Sequence, residues 1–316
     1  MPPSTDPHRE DVPQASRRLS VRGQSRVWIR LLRPTHWVKN ALLGVPLITA
    51  QAWTEAAALR AVGLALVAFS LVASATYIFN DLVDLAFDQA HTAKRARPIA
   101  SGDVGRGAAL ALGLVLLGLG LILAWLQSAA FAVVTGLYVL LTTLYTQYAK
   151  RVALLDVLVL AALWTVRLWA GAVVIGVELS VGLLSFSAFL FLSLSILKRC
   201  AELIAFAGPV DALLPGRGYQ VRDLASLQSF GIGTAVVSVL VLALFVDSHS
   251  AAMHYPHPER LWLICPAIWF WLARLWLETS RGQMHYDPVV FSVRDRASWL
   301  IAVLVMTSWG AALVPI

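Results

Sequence analysis

The stretch 80–102, NDLVDLAFDQAHTAKRARPIASG, concentrates side chains able to do chemistry. Asp81, Asp84 and Asp88 recur at spacings of three and four, which on a helix sets their carboxylates on one face, within reach of the same ion. Asn80 adds an amide oxygen at the start of the row. Oxygen ligands suit Mg2+, which takes one or two carboxylates and completes its octahedron with water and phosphate oxygens. His91, Lys94, Arg95 and Arg97 follow, then a Pro-Ile-Ala-Ser-Gly turn that stops any helix. Metal-holding acids at Asp81, Asp84 and Asp88, followed at once by fixed cations, suit a polyanion such as a diphosphate. The alternative is a hydrated loop of mixed charge. An acidic row leading directly out of an apolar run argues against that, because ionisable groups there are costly to leave unused.

Other charged groups stand at the ends of apolar runs. Tyr145, Lys150 and Arg151 close one run, where they read either as interface aromatics and topology-setting cations or as part of a binding wall. Asp156 and Arg167 lie eleven residues apart in the next run, about three helical turns, so they face the same way. Left unpaired in lipid both would be costly, so their shared face is expected to line a polar cavity. Lys198, Arg199 and Glu202 bring two cations and an acid to the end of a further run, and Tyr219 and Asp223 cluster with arginines before the next.

The elements holding these groups are apolar. Hydrophobic residues make up 59% of the 316, charged residues 14%, and the mean hydropathy is +0.72, values of a polytopic membrane protein. A bilayer core of ~30 Å takes ~20 helical residues. About nine runs are long enough: 38–54, 58–79, 108–126, 129–148, 153–177, 181–205, 227–247, 260–279 and 297–315. Backbone groups in lipid must be satisfied internally, so these runs are helices and the fold class is an all-α membrane bundle. Residues 1–24 are polar, without an apolar signal-peptide core, and read as a disordered cytoplasmic tail. Residues 25–316 read as a single transmembrane domain.

With the N-terminus inside, the outer segments hold only Arg60 and Arg260, while the inner ones hold every other basic cluster. This positive-inside pattern predicts an integral membrane protein with its charged site facing the cytoplasm, and a bacterial inner (plasma) membrane is the expected location. The net charge of +7 is then topology plus phosphate binding, and nucleic acid is not expected as a partner. Cys200 and Cys265 lie in different runs without metal-ligand spacing and read as packing residues.

NDLVDLAFD with its KRARPIASG continuation resembles the motif of the UbiA superfamily of intramembrane prenyltransferases. LRPTHWVKN, YTQYAKRVALLDVLVL, RLWAGAVVIGV and LKRCAEL agree, and the resemblance runs from Leu32 to the C-terminus. It is greatest to the decaprenyl-phosphate phosphoribosyltransferase branch. The resemblance implies that Lys39 and Asn40 belong to the site wall. It also implies a Mg2+-dependent transferase joining a diphosphate donor to a polyprenyl lipid. In one reading phosphoribosyl pyrophosphate is the donor and polyprenyl phosphate the acceptor. Lys94, Arg95 and Arg97 then serve the diphosphate, and Lys150, Arg151, Arg167, Lys198 and Arg199 the remaining phosphates. In the other, a polyprenyl diphosphate alkylates an aromatic or other acceptor. Where aromatic prenyltransferases of the superfamily carry a second acidic motif, only Asp211 and Asp223 stand, widely spaced, which favours the first reading. A lipid-phosphate transporter would continue its polar residues through the outer half of the bundle. Apart from Glu178 and Thr135 few are there.

Overall fold

The computed structural model describes residues 21–90, 94–206, 208–284 and 287–314. Among these the only strand-like pairing is one antiparallel bridge, Leu213 to Gln220, and the rest is helix and loop. The α-helices in chain order are α1 (Val21–Leu32), α2 (Val45–Thr49), α3 (Ala56–Val83), α4 (Leu85–Ala90), α5 (Arg106–Gln127), α6 (Ala129–Gln147), α7 (Leu155–Ile175), α8 (Val181–Ala205), α9 (Leu224–Val246), α10 (His249–His254), α11 (Ile264–Ser280), α12 (Pro288–Arg294) and α13 (Arg296–Leu313). Eight helices are long and apolar enough to cross a membrane, those built on α3, α5, α6, α7, α8, α9, α11 and α13.

The run at 38–54, expected as a crossing, is not one long helix. A 3-10 helix over Pro34–Gly44 passes into the five residues of α2 and a second 3-10 turn at Ala52–Thr54. Lys39 pairs with Asp287, beyond the end of α11, while Gln51 donates to the carbonyl of His254, before its start. The stretch therefore covers the length of α11. The 3-10 form rises ~2.0 Å per residue, more than an α-helix, so fewer residues reach across. Gly171 of α7 makes room for it, because a Cβ there would sit 2.2 Å from the Leu43 carbonyl oxygen. Gly176 has another use: it ends α7 in a left-handed conformation, φ +69°.

Side-chain oxygens cap several helices. Ser128 accepts from the Phe131 amide, Ser180 from that of Leu183, and Asp295 from that of Ser298. The largest core cluster joins α3, α6, α7 and α8 through Phe69, Tyr138, Trp164, Phe191 and Leu197. Of the spans α7 is the most enclosed and α13 the least. Any charge on α7 must therefore find its partner inside the protein.

α1 begins at Val21, inside the stretch expected to be a tail. Residues 1–20 lie outside the described residues, as do His91 and His285. Both cysteines are buried and unpaired.

Candidate active site

The acidic row sits where α3 gives way to α4. Asp81 is in the last turn of α3, Asp84 is the residue between the helices, and Asp88 is in α4. Local bonding continues through the break, Asp84 N–H to the Asn80 carbonyl at 2.9 Å and Asp88 N–H to that of Asp84 at 2.8 Å. The row is thus interrupted at its middle residue, where a continuous helical face was expected. Asn80 lines a small cleft between α3 and α6 with Thr76 and Thr146.

Each acid has a cation. Arg33 Nη2 donates to both oxygens of Asp81, at 2.6 and 2.7 Å. Arg97 Nη1 bridges Asp81 Oδ1 at 3.0 Å and Asp88 Oδ2 at 2.6 Å. Lys150 Nζ lies 2.5 Å from Asp84 Oδ1. Among the described residues, no three His, Cys, Asp or Glu side chains converge as a ready metal cluster. The donors nonetheless fit Mg2+. All are oxygens, and Asp88 Oδ1 is buried without a hydrogen-bond partner in a side chain only 2% exposed. Asp81 and Asp88 would hold the ion, with Asp84 beside them. Lys94 lies over the Phe87 ring, and desolvation followed by repulsion from Arg97 and Arg217 lowers its pKa. Arg95 is exposed nearby.

A second charged group faces it from the other wall. Lys39 and Lys198 both reach Asp287, at 2.7 and 3.1 Å. Burial alone would raise the Asp287 pKa, but Lys198 and Lys39 outweigh it and hold the carboxyl well below its ordinary value. Burial, Lys39, Arg33 and Lys198 together push the His36 imidazole down to about 4. Lys39 also lies 5.3 Å from the Trp164 ring, at the head of an apolar groove of about 480 Å3. Leu190, Phe191, Trp271, Val289 and Ala302 line the groove, and Trp299 and Val293 on its rim are exposed, so it opens on the outside of the bundle.

Other expected site residues hold the walls together. Arg199 is fully buried, 2.6 Å from Asp156 Oδ2 and paired with Glu202. Tyr219 donates to Asp156 and accepts from the Leu154 amide at 2.8 Å, pinning the 206–223 loop to the start of α7. Arg199 was expected to bind phosphate; here two acids surround it and its side chain is wholly buried. Asp156 and Arg167 take separate partners. Arg167 donates to Asn40 Oδ1 at 3.1 Å, Tyr138 Oη at 3.0 Å and the Leu163 carbonyl, with the Tyr138 ring 4.7 Å away. It orients Asn40, which donates in turn to Ser70. Arg217 donates to Tyr145 Oη at 3.0 Å and lies 3.9 Å from Glu202, between the two charged groups. Asp223 accepts from the Gln220 amide at the start of α9, a capping role, and Arg151 is exposed. Arg33 was not expected beside the acidic row, and Asp287 was expected either to cap the cytoplasmic site or merely to terminate a helix. Arg33 had a signal in its place at the head of RPTHWVKN, and Asp287 in the Asp-Pro pair that starts a helix.

The model of the UbiA prenyltransferase family matches residues 41–201. The chain is 36% identical to uncharacterized protein y4nM of Sinorhizobium fredii over 90% of its own length and 56% of that protein's. It therefore spans little more than half of that relative. It is 34% identical to nodulation protein NoeC of Azorhizobium caulinodans, over 86% of this chain and 88% of that one. With a decaprenyl-phosphate phosphoribosyltransferase of Mycolicibacterium smegmatis it shares 35% identity over 90% of this chain and 92% of that one. Among solved structures, a UbiA homolog from Archaeoglobus fulgidus bound to GPP and Mg2+ superposes with a TM-score of 0.69. The superposition covers 90% of this chain and 99% of that one at 17% identity, a likeness of fold. The chain belongs to the UbiA prenyltransferase family, near its decaprenyl-phosphate phosphoribosyltransferase branch.

Proposed function

We propose that the protein transfers a phosphoribosyl group from phosphoribosyl pyrophosphate to a polyprenyl phosphate, at a Mg2+-dependent site on the cytoplasmic face of a bacterial inner membrane. The observation that carries this reading is a second cationic pair, Lys39 and Lys198 on Asp287, with Lys39 lining the apolar groove, besides the cations that hold the acidic row. A soluble diphosphate donor meeting a phosphorylated lipid needs two anion sites, one of them joined to a hydrophobic channel. A prenyl-diphosphate donor needs one. The relatives named decaprenyl-phosphate phosphoribosyltransferase support the same choice.

In this reading the donor's diphosphate lies against Arg33, Arg97 and Lys150, whose donors now point at Asp81, Asp84 and Asp88. Mg2+, held by Asp81 and Asp88, supplies Lewis-acid stabilisation of the leaving diphosphate. Lys39 and Lys198 hold the acceptor phosphate, exchanging Asp287 for it. That nucleophile is already an anion, so no strong general base is required. The bond from the anomeric carbon to the diphosphate oxygen breaks as a bond from the same carbon to a lipid phosphate oxygen forms. Developing charge on the leaving group is met by guanidinium groups already in place. The groove takes the head-proximal isoprenoid, and the rest of the tail leaves through the open rim into lipid.

Prenyl transfer is the second reading. The aromatic side chains of the groove, Trp164, Phe191, Trp271 and Trp299, would suit an allylic cation, and the Archaeoglobus structure is named as bound to GPP. Product mass separates the two. Purified protein in detergent with Mg2+ is given either phosphoribosyl pyrophosphate and polyprenyl phosphate, or a prenyl diphosphate and an aromatic acceptor. A phosphoribosylated lipid is expected. A prenylated aromatic product, with phosphoribosyl pyrophosphate ignored, would replace the first reading by the second.

A further inference from the structure

We propose that Arg97 is a resident counter-ion that closes the acidic row to free divalent metal, so that the metal enters only together with a diphosphate. This rests on the reading of the row as a metal–diphosphate site. Arg97 Nη1 touches Asp81 Oδ1 and Asp88 Oδ2 at once, between the two carboxylates best placed to hold the ion. The carboxylates are buried, 3% and 2% exposed, while the Arg97 side chain is 26% exposed. An ion therefore reaches the acids only if Arg97 withdraws, and Arg97 is the partner with room to do so.

Charge decides when it withdraws. Three carboxylates, Asp81, Asp84 and Asp88, already face three cations, Arg33, Arg97 and Lys150. Lys94 stands close enough to Arg97 and to Arg217 that their repulsion adds to desolvation in lowering its pKa. A bare divalent cation would add two positive charges to a balanced cluster. It would also strip a guanidinium of both its carboxylates, leaving it unpaired in a partly desolvated site. A diphosphate reverses both costs: it brings negative charge, and its oxygens give Arg97 the bidentate partner it loses. Arg97 then moves from carboxylate to phosphate as the metal takes its former place. The unpartnered Asp88 Oδ1 fits a row left half satisfied by its counter-ion, with acceptor capacity in reserve for the metal. By linkage, diphosphate and metal must each strengthen the binding of the other.

The test is Mn2+ binding to purified protein in detergent, read by electron paramagnetic resonance of free Mn2+, with and without methylenediphosphonate. In the wild type the diphosphonate is expected to tighten Mn2+ binding by about tenfold or more. Arg97→Gln is expected to bind Mn2+ alone about tenfold more tightly than the wild type and to lose most of the coupling. Wild-type protein that binds Mn2+ alone as tightly as with the diphosphonate overturns the proposal, whether or not the variant folds. So does an Arg97→Gln protein, folded by its melting profile, with unchanged affinity for Mn2+ alone. A protein carrying both Asp81→Asn and Asp88→Asn separates the underlying reading. If it takes up Mn2+ with diphosphonate as the wild type does, the row is not the metal site and the inference falls with it.

Discussion

Lys39 and Lys198 meet on one carboxylate, that of Asp287, at 2.7 and 3.1 Å. One lysine belongs to the 3-10 helix Pro34–Gly44 and the other to α8, so the acid ties together two walls of the cavity. A phosphate entering between them would find two ammonium groups already converged, and would have to displace only a single acid. Lys198→Ala is therefore expected to raise the KM for one phosphorylated substrate and to change kcat much less, the pattern of lost uniform binding. Loss of a charge-assisted contact of ~1.5–3 kcal/mol corresponds to roughly ten- to hundredfold in affinity. Steady-state kinetics with each substrate varied in turn identifies which anion Lys198 serves. An unchanged KM for both would remove the lysine pair from the site.

The acidic row yields a prediction about metal removal. EDTA is expected to abolish turnover and Mg2+ to restore it. Asp84→Asn is the cleaner variant, because Asp84 is partly exposed and, among the described residues, pairs with Lys150. Its turnover is expected to fall ~100-fold or more, as for loss of a group stabilising transition-state charge, with the melting temperature little changed. Asp81→Asn is expected to lose activity and some stability together, since Asp81 also neutralises Arg33 and Arg97. Full activity in chelator would show that the row serves another purpose.

What was legible in the sequence follows from what acts locally. The runs at 58–79 and 108–126 coincide with α3 and α5, because lipid forces every long apolar run into a helix. Hydropathy does not distinguish a 3-10 path from an α-helix, so the broken geometry around Gly44 and Pro46 stayed hidden in an apolar run. The spacing of Asp81, Asp84 and Asp88 marked the row but carried no sign of the interruption at Asp84. The ion pairs were beyond reach. Arg33 finds Asp81 across 48 residues and Lys39 finds Asp287 across 248, separations that no local pattern encodes. Helical periodicity aligned Asp156 and Arg167 along α7, but their partners come from other elements, which no spacing within α7 names.

Orientation in the membrane is open to direct labelling. Ala96 is exposed beside the acidic row, and Met253 is exposed beyond the far end of α9. Both native cysteines are buried, which keeps the background low. In inside-out vesicles an impermeant maleimide is expected to modify Ala96→Cys and spare Met253→Cys; in right-side-out vesicles the order reverses. Modification of both from one side would contradict the positive-inside reading.

Arg199 and Asp156 give the prediction that most sharply divides binding from structure. Both side chains are wholly buried and 2.6 Å apart, and Asp156 is also held by Tyr219. Removing one member of such a pair leaves the other charged and unpaired, at a cost of about 3–5 kcal/mol. Arg199→Ala is therefore expected to melt well below the wild type in detergent, while the folded fraction keeps nearly native KM values for both substrates. Its neighbour in sequence, Lys198→Ala, should show the reverse. Replacing both partners, Arg199→Met with Asp156→Asn, removes both charges and is expected to recover part of the lost stability. With the matching single variants Arg199→Met and Asp156→Asn and the wild type, the non-additivity across the four melting curves measures the pair. A large KM increase in Arg199→Ala at unchanged stability would return this arginine to the list of phosphate ligands, and Asp156 with it to the cavity wall.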